Sequence, residues 1–377
     1  MKIWFRYNSK NSYSIAALMP LVDAGLASGP RTGIMLYSFA TPQAGEVYQE
    51  VDRARKSKLD AVFVAGGPHP SALPEEALEH FDFVVVGEGE ETLPELIRAI
   101  TDDLDPGMVK GIAYKSQGLI CLTEKRAPVN LNLYPPFTRI LAPIEISRGC
   151  PWGCTYCQTP RLFGRCMRHR SIPVISRFAR RHKDIRSTSP NSLAYGSDGR
   201  RPRLEKVKAL LEALSKQKKP IYFGTFPSEV RPDFVSDEAL EIITQHCANK
   251  TISLGGQSGS PAVLKSIRRG HGRQEIESAC EHILDHGLVP QVDLIFGLPM
   301  ESAEDQQMTL DLARWIEGKG GKVRAHRFMP LPGTPLWGKK PAPLSSDAEA
   351  LLGSLAQRGR LTGSWSRKIK AEKDETG

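Results

Sequence analysis

The chain has 377 residues, 40% of them hydrophobic and 25% charged, enough for two domains with cores of their own. Lys and Arg outnumber Asp and Glu by 51 to 42, a net +9 that leaves nucleic acid or an acidic partner open but first of all describes a basic solvated surface. No apolar run reaches membrane-spanning length and no basic-then-apolar stretch opens the chain; with seven unevenly spaced cysteines this argues against a membrane or disulfide-framework protein and predicts a cytoplasmic one.

From the first residues, short β-branched runs alternate with helical patterns. The strand KIWFRYN precedes a helix over SIAALMPLVDAG; TGIMLYSF precedes a helix over 44–57; LDAVFVAGG precedes a short helix in PEEALEHF; DFVVVGEGE precedes a helix over 92–100. Strands that are apolar throughout and alternate with helices predict a parallel sheet covered on both faces, a doubly wound Rossmann or flavodoxin-like α/β domain over 1–126. Its polar and glycine residues follow the strands: Tyr37, Ser38 and Thr41; Gly66, Gly67 and His69; Gly87 and Glu88. Ligands of such sheets bind outside the carboxyl ends of the strands, although turn chemistry alone would also put glycines there. Residues 110–125 read as a hairpin, and the Pro-rich, aperiodic 127–143 as a linker.

Alternation resumes at Ile144. Strands at IEIS, KDIRSTS, PIYFGTF, TISLGG, QVDLIFG and VRAHRFM, with helices over 204–216, 237–246, 274–286 and 303–318, make about six βα units. That is fewer than a closed eightfold barrel and predicts a partial (β/α)6 barrel over 144–337. Residues 338–377 read as a basic tail whose end, RKIKAEKDETG, is frayed or disordered. The rest of the basic excess lies in 161–186.

The first barrel strand runs into ISRGCPWGCTYCQTP, where Cys150, Cys154 and Cys157 form C-x3-C-x2-C. Three thiolates at these spacings can hold three corners of a cubane iron–sulfur cluster and leave the fourth iron open, with Gly149 and Gly153 letting the loop wrap tightly. Structural zinc is the competing reading: it needs a fourth ligand, which Cys166 or His169 could supply. Cys247 and Cys280 read as small apolar groups.

This motif, with Tyr156 just before its last cysteine, resembles the radical S-adenosylmethionine (SAM) superfamily, and the whole chain resembles archaeal-type B12-binding domain/radical SAM domain proteins. The resemblance implies a [4Fe–4S] cluster on Cys150, Cys154 and Cys157, SAM chelating the open iron, reductive cleavage to a 5′-deoxyadenosyl radical, and an electron donor such as ferredoxin or flavodoxin. For SAM it implies Tyr156, Asn191, Ser228, Glu229, Arg231, Gln257, Ser258 and Arg269, all on loops after barrel strands. Ser228 and Gln257 equally suit a helix cap or a turn, and Glu229 and Arg231 could pair with each other. IFGLP at 295–299 resembles the family's fifth-strand motif. For cobalamin the resemblance implies Tyr37, Ser38, Thr41, Gly66, Gly67, His69, Gly87 and Glu88. RYNSKNSYS holds no histidine where many cobalamin domains carry the lower cobalt ligand, so His69 is the nearest candidate.

The expected activity is a cobalamin-dependent radical SAM C-methyltransferase. Radical rearrangement, cyclisation or oxidation without methyl transfer is the alternative. An RNA methylthiotransferase would need a second cysteine set in the first domain, where only Cys121 precedes Cys150. The substrate is open to small molecule, protein or RNA.

Overall fold

The computed structural model of the chain describes residues 1–366. The final basic run, 367–377, lies outside the described residues.

The first domain is built on a seven-stranded sheet in the order β2-β1-β3-β4-β5-β6-β7. Its strands are β1 (Ile3–Arg6), β2 (Gly25–Ala27), β3 (Gly33–Ser38), β4 (Ala61–Gly66), β5 (Phe83–Val85), β6 (Ile112–Ser116) and β7 (Leu119–Leu122). The first five run parallel; β6 and β7 form the expected antiparallel hairpin. Side chains alternate between two cores. Met35, Tyr37, Phe63 and Ala65 pack under α2 (Ala44–Lys56) with Leu78 and Phe81, beside α3 (Pro68–Ala72) and α4 (Pro74–Ala77). Ile34, Leu36 and Val64 pack against Ile15 of α1 (Ser12–Leu18) and Leu93, Leu96 and Ile97 of α5 (Gly89–Thr101). The period of two thus serves helices on both faces.

One boundary differs from the sequence reading. The helix expected through Gly25 stops at Leu18, because Pro20 has no N–H to continue it; a short 3-10 turn follows, and Gly25–Ala27 adds an edge strand.

The second domain is an open barrel of parallel strands: β8 (Ile144–Glu145), β11 (Ile185–Thr188), β12 (Ile221–Tyr222), β13 (Thr251–Gln257), β14 (Val289–Phe296) and β15 (Lys322–Arg327). A single bridge from Val230 to Leu254 joins its two halves. Between β8 and β11, β9 (Ser147–Arg148) pairs antiparallel with β10 (Arg168–His169). The helices are α6 (Thr159–Leu162), α7 (Ile172–Ala179), α8 (Leu204–Ser215), α9 (Asp237–His246), α10 (Pro261–Ser266), α11 (Arg273–Asp285) and α12 (Ala303–Gly318). Ser302 starts α12 with a reciprocal cap: its Oγ accepts from the Asp305 N–H, and the Asp305 carboxylate accepts from the Ser302 N–H.

The stretch read as a basic tail is partly structured. Helix α13 (Ser346–Gln357) buries Ala348, Leu352 and Leu355 in the barrel core, and β16 (Leu361–Ser364) pairs parallel with β15. These apolar positions, not the surrounding charge, decide its folding. No helix among the described residues is long and apolar enough to cross a membrane.

Candidate functional site

The cysteine loop is pinned at its base by the β9–β10 ladder, which pairs Arg168 with Arg148 and His169 with Ser147. Gly149 opens it at φ +87°, and a Cβ there would stand 2.3 Å from the Cys166 carbonyl oxygen, so only glycine fits. The Cys150 N–H donates to Gly164, and the Thr155 N–H reaches the Ile267 carbonyl across the barrel mouth. Cys150, Cys154 and Cys157 are unbridged. Burial pushes the Cys150 and Cys157 thiols up, and their mutual proximity and that of Cys154 push the same way. Thiols that repel one another as thiolates need a cationic metal centre to hold them together, and this donor set fits an iron–sulfur cluster. Among the described residues no three His, Cys, Asp or Glu side chains gather tightly enough for a single ion.

Behind the loop stands a basic shelf. Arg269 donates to the Gly255 carbonyl at 2.7 Å and places a second nitrogen 3.8 Å from the Cys154 sulfur. His271 accepts from Arg269 at 3.0 Å; burial and the guanidiniums of Arg269 and Arg231 push its pKa down to about 3, so it stays neutral and can accept. Trp152 donates to the Gly199 carbonyl at 2.9 Å, and the Arg231 guanidinium lies 3.6 Å over its ring centre. Gly270 is obligatory, since a Cβ would meet the Trp152 ring at 2.5 Å.

The residues expected at SAM divide into two groups. Ser228 is spent within the fold: its hydroxyl bonds the Ser192 hydroxyl at 2.5 Å and the Ser189 hydroxyl at 3.2 Å. Ser258 is likewise taken by the Thr309 hydroxyl and by the Ser260 N–H, which fixes the turn into α10. Arg269 is committed to Gly255 and Cys154, so it braces the loop rather than standing free to clamp a carboxylate. Arg231 chelates Asp233 at 3.0 and 3.1 Å, not Glu229.

The second group keeps unused capacity. Asn191 accepts from the Arg231 N–H, and its amide nitrogen has no partner; Arg231 Nη1 has none either. Both side chains are buried, so two orphaned donors sit beside each other near Trp152. Gln257 holds φ +75° at the bulge that ends β13, a strained position at a strand end. Tyr156 packs against the barrel core. Glu229 accepts from Arg324 at 2.6 Å, while burial and Asp293 hold its carboxyl well above the usual range.

The strand ends of the first domain face the cysteine loop across a cavity of about 410 Å³. Its floor is Leu36, Val64, Ala65, Val85 and Leu93; its far wall is Ala142, Pro143, Leu162 and Phe163 of the second domain. Of the residues expected at cobalamin, Tyr37, Ser38, Gly66, Gly67, Gly87 and Glu88 line it. Gly67 holds φ +97° and a Cβ would press on Phe39, while Gly66 has only ordinary contacts and leaves the space open. Thr41 and His69 do not line the cavity. His69 is buried on the other face of the sheet, where its ring nitrogens bond Thr41, Tyr48 and Glu76. Helix α3 turns it inward, so its role is packing.

Sequence reading did not single out the cavity's basic edge. Arg148, one residue before Gly149, is bound by Glu145 and by Glu90 at 2.6 Å, with Glu88 at 3.4 Å; Arg168 also pairs with Glu88. Burial works against charge on Glu88, but Arg168, Arg148 and the Val129 N–H outweigh it and lower its pKa. The first domain and the cysteine loop therefore share one buried ion network. The signal lay in the sequence as Gly-Glu-Gly-Glu after β5 and Ser-Arg before the glycine, but pairing across 60 residues is set by tertiary structure.

Two family models match this division of the chain: the B12 binding domain over residues 24–97 and the radical SAM superfamily over residues 144–313. The chain is a B12-binding domain/radical SAM domain protein. It is 27% identical over 301 residues to bacteriochlorophyllide d C-12(1)-methyltransferase of Chlorobaculum tepidum, a match covering 78% of this chain and 63% of that protein. The chain therefore spans less than two thirds of that relative. In fold it is similar to TsrM, a radical S-adenosylmethionine methyltransferase from Kitasatospora setae solved with cobalamin and a [4Fe–4S] cluster, with TM-score 0.72 at 13% identity, covering 100% of this chain and 93% of that one. It is similar also to OxsB, a cobalamin-dependent S-adenosylmethionine radical enzyme, with TM-score 0.66 at 19% identity over 83% and 51% of the two chains. The B12-binding/radical SAM architecture expected from the sequence is thus the architecture of the protein.

Proposed function

We propose that this B12-binding/radical SAM protein is a cobalamin-dependent methyltransferase that acts on a carbon of its substrate. The observation that carries the reading is the shared cavity, with B12-domain strand ends on one side and Arg148, Leu162 and Phe163 around the cysteine loop on the other. When bound, the cluster and SAM supply a hydrogen-abstracting radical and cobalamin supplies a transferable methyl group, two chemistries that methylation of an unactivated carbon needs together.

The protein's part is placement. Cys150, Cys154 and Cys157 would hold the cluster. Gly66, Gly67 and Gly87 would let backbone approach the corrin, and the apolar floor from Leu36 to Leu93 would exclude water beneath it. Asn191 and Arg231 would give SAM's carboxylate the two donors they leave unused, while Arg269 keeps Cys154 in position. The relatives named for methyl transfer or for cobalamin with SAM support the reading. Cys121 stands alone on the β7 hairpin, which speaks against a second cluster in the first domain and so against methylthiolation.

The test is anaerobic reconstitution with iron, sulfide and hydroxocobalamin, followed by desalting and incubation with SAM carrying a labelled methyl group. The expected result is about four irons per chain, retained corrin, and release of both S-adenosylhomocysteine and 5′-deoxyadenosine. Iron without corrin would overturn the cobalamin assignment. Undiminished SAM cleavage by the Cys150→Ala variant would overturn the cluster assignment.

A further inference from the structure

The outer face of the cysteine loop carries a ring of arginines that the site itself does not use. Arg165 donates to the Pro151 carbonyl at 3.1 Å and approaches Gly153. Arg161 lies on α6, four residues past Cys157. Arg200 and Arg201 follow Gly199, whose backbone takes the Trp152 N–H and whose Cα packs on Pro151. Arg268 offers its carbonyl to the Cys154 sulfur at 3.8 Å. All five are exposed. Among the described residues none of them forms an ion pair, although the chain contains many, and Asp198 is the nearest carboxylate in sequence to Arg200 and Arg201.

Unpaired guanidiniums on a solvated surface contribute little to stability and repel one another. Gathered around one loop, they create a local positive field that steers an anionic macromolecule to that loop. Single-stranded RNA would also be drawn, but nucleic-acid surfaces of that kind interleave their cations with exposed aromatic platforms. The exposed large apolar side chains include Phe226, Trp337, Leu119 and Leu133, and none lies between residues 150 and 203 or between 261 and 270. A charged rim without an apolar centre fits a small, transient, electrostatically guided encounter, the class to which electron-transfer complexes belong.

We infer that this rim is the docking surface for an acidic, low-potential, one-electron carrier protein, seated directly over the loop that holds the cluster thiols. The inference rests on the cluster assignment above. In the encounter one electron leaves the carrier and enters the centre held by the loop; no bond is made or broken and no proton changes place. The partner is defined by chemistry: surface carboxylates around an exposed redox group.

The experiment compares a rim variant, Arg161→Glu with Arg200→Glu and Arg201→Glu, with a control of equal charge change, Lys56→Glu with Lys58→Glu and Lys216→Glu, all at exposed positions. Binding of oxidised flavodoxin and of oxidised ferredoxin is followed by calorimetry at two salt concentrations, on reconstituted protein whose iron content is measured first. The rim variant should bind at least one of the two carriers roughly tenfold or more weakly, lose most of the salt dependence, and retain wild-type iron and full reduction by dithionite; the control should match wild type. Equal binding by the rim variant and wild type, or equal loss in the control, would overturn the inference. So would rim-dependent binding of a labelled tRNA with neither carrier bound. Failure of the wild-type protein to take up iron would count against the cluster assignment instead, and is read separately from carrier binding.

Discussion

Arg148 places its Nη2 2.6 Å from Oε1 of Glu90, joining the residue next to the cluster loop's first glycine to the helix that floors the cobalamin-side cavity. Both side chains are under 10% exposed, and Glu145 and Glu88 complete the charge balance. Such a network is held by mutual compensation, since each charge lost its hydration on folding. Arg148→Met leaves Glu90 and Glu145 buried without their counter-ion and should cost about 3–5 kcal/mol. Glu90→Gln with Arg148→Met should cost clearly less than the sum of the two single changes, because the residues share partners. Denaturant titration of the four proteins measures the coupling, and strict additivity would mean the network is not a unit.

The network also marks where sequence reading stopped. Local chemistry was legible: the glycines after β4 and β5, the three-cysteine spacing, and the switch from period two to helical period that delimits each βα unit. Long-range pairing was not. Ser228 and Ser258 looked like ligands because they follow strands, yet each hydroxyl is taken by another hydroxyl, Ser192 and Thr309, from a distant part of the chain. Arg231 looked like a partner for Glu229, but Glu229 turns to Arg324, 95 residues away. The β16 strand was hidden by the charge around it, since only Leu361 of its four residues is buried.

Glu301 gives a pH signature. One carboxylate oxygen accepts the Gly297 N–H at 2.5 Å; the other is buried with no partner. Burial, opposed by the Gly297 N–H and Arg327 and assisted by Asp305, raises its pKa to about 7. A carboxyl whose folded pKa lies above its unfolded value stabilises the fold at low pH and loses that contribution as pH rises through the folded value. The Glu301→Gln variant should therefore match wild type near pH 5 and exceed it by roughly 2–3 kcal/mol at pH 8. Urea midpoints at the two pH values test this, and a difference independent of pH would exclude the assignment.

Gly149→Ala tests whether the loop's first turn is fixed by backbone sterics. An alanine Cβ would collide with the Cys166 carbonyl and occupy φ +87°, a strain of about 1–3 kcal/mol before the clash is counted. The barrel core lies elsewhere, so far-ultraviolet dichroism should be unchanged while reconstituted iron falls to less than half of wild type. Normal iron loading would show that the loop can re-form around the added methyl group.

His69 and Gly66 separate packing from ligand contact in the first domain. The His69 ring is 3% exposed and bonds Thr41, Tyr48 and Glu76 away from the cavity. His69→Ala opens a void and strands a buried tyrosine hydroxyl, for an expected loss of about 2 kcal/mol. The visible spectrum of bound corrin should not move, because no cobalt ligand is removed. Gly66→Val works the other way: its backbone is unstrained and the nearest atom to a Cβ is 3.7 Å off, so the side chain grows into the cavity at small cost to folding. Corrin affinity should fall at least about tenfold with iron loading intact. A spectral shift in His69→Ala, with Gly66→Val binding normally, would mean that the corrin sits on the opposite face of the sheet.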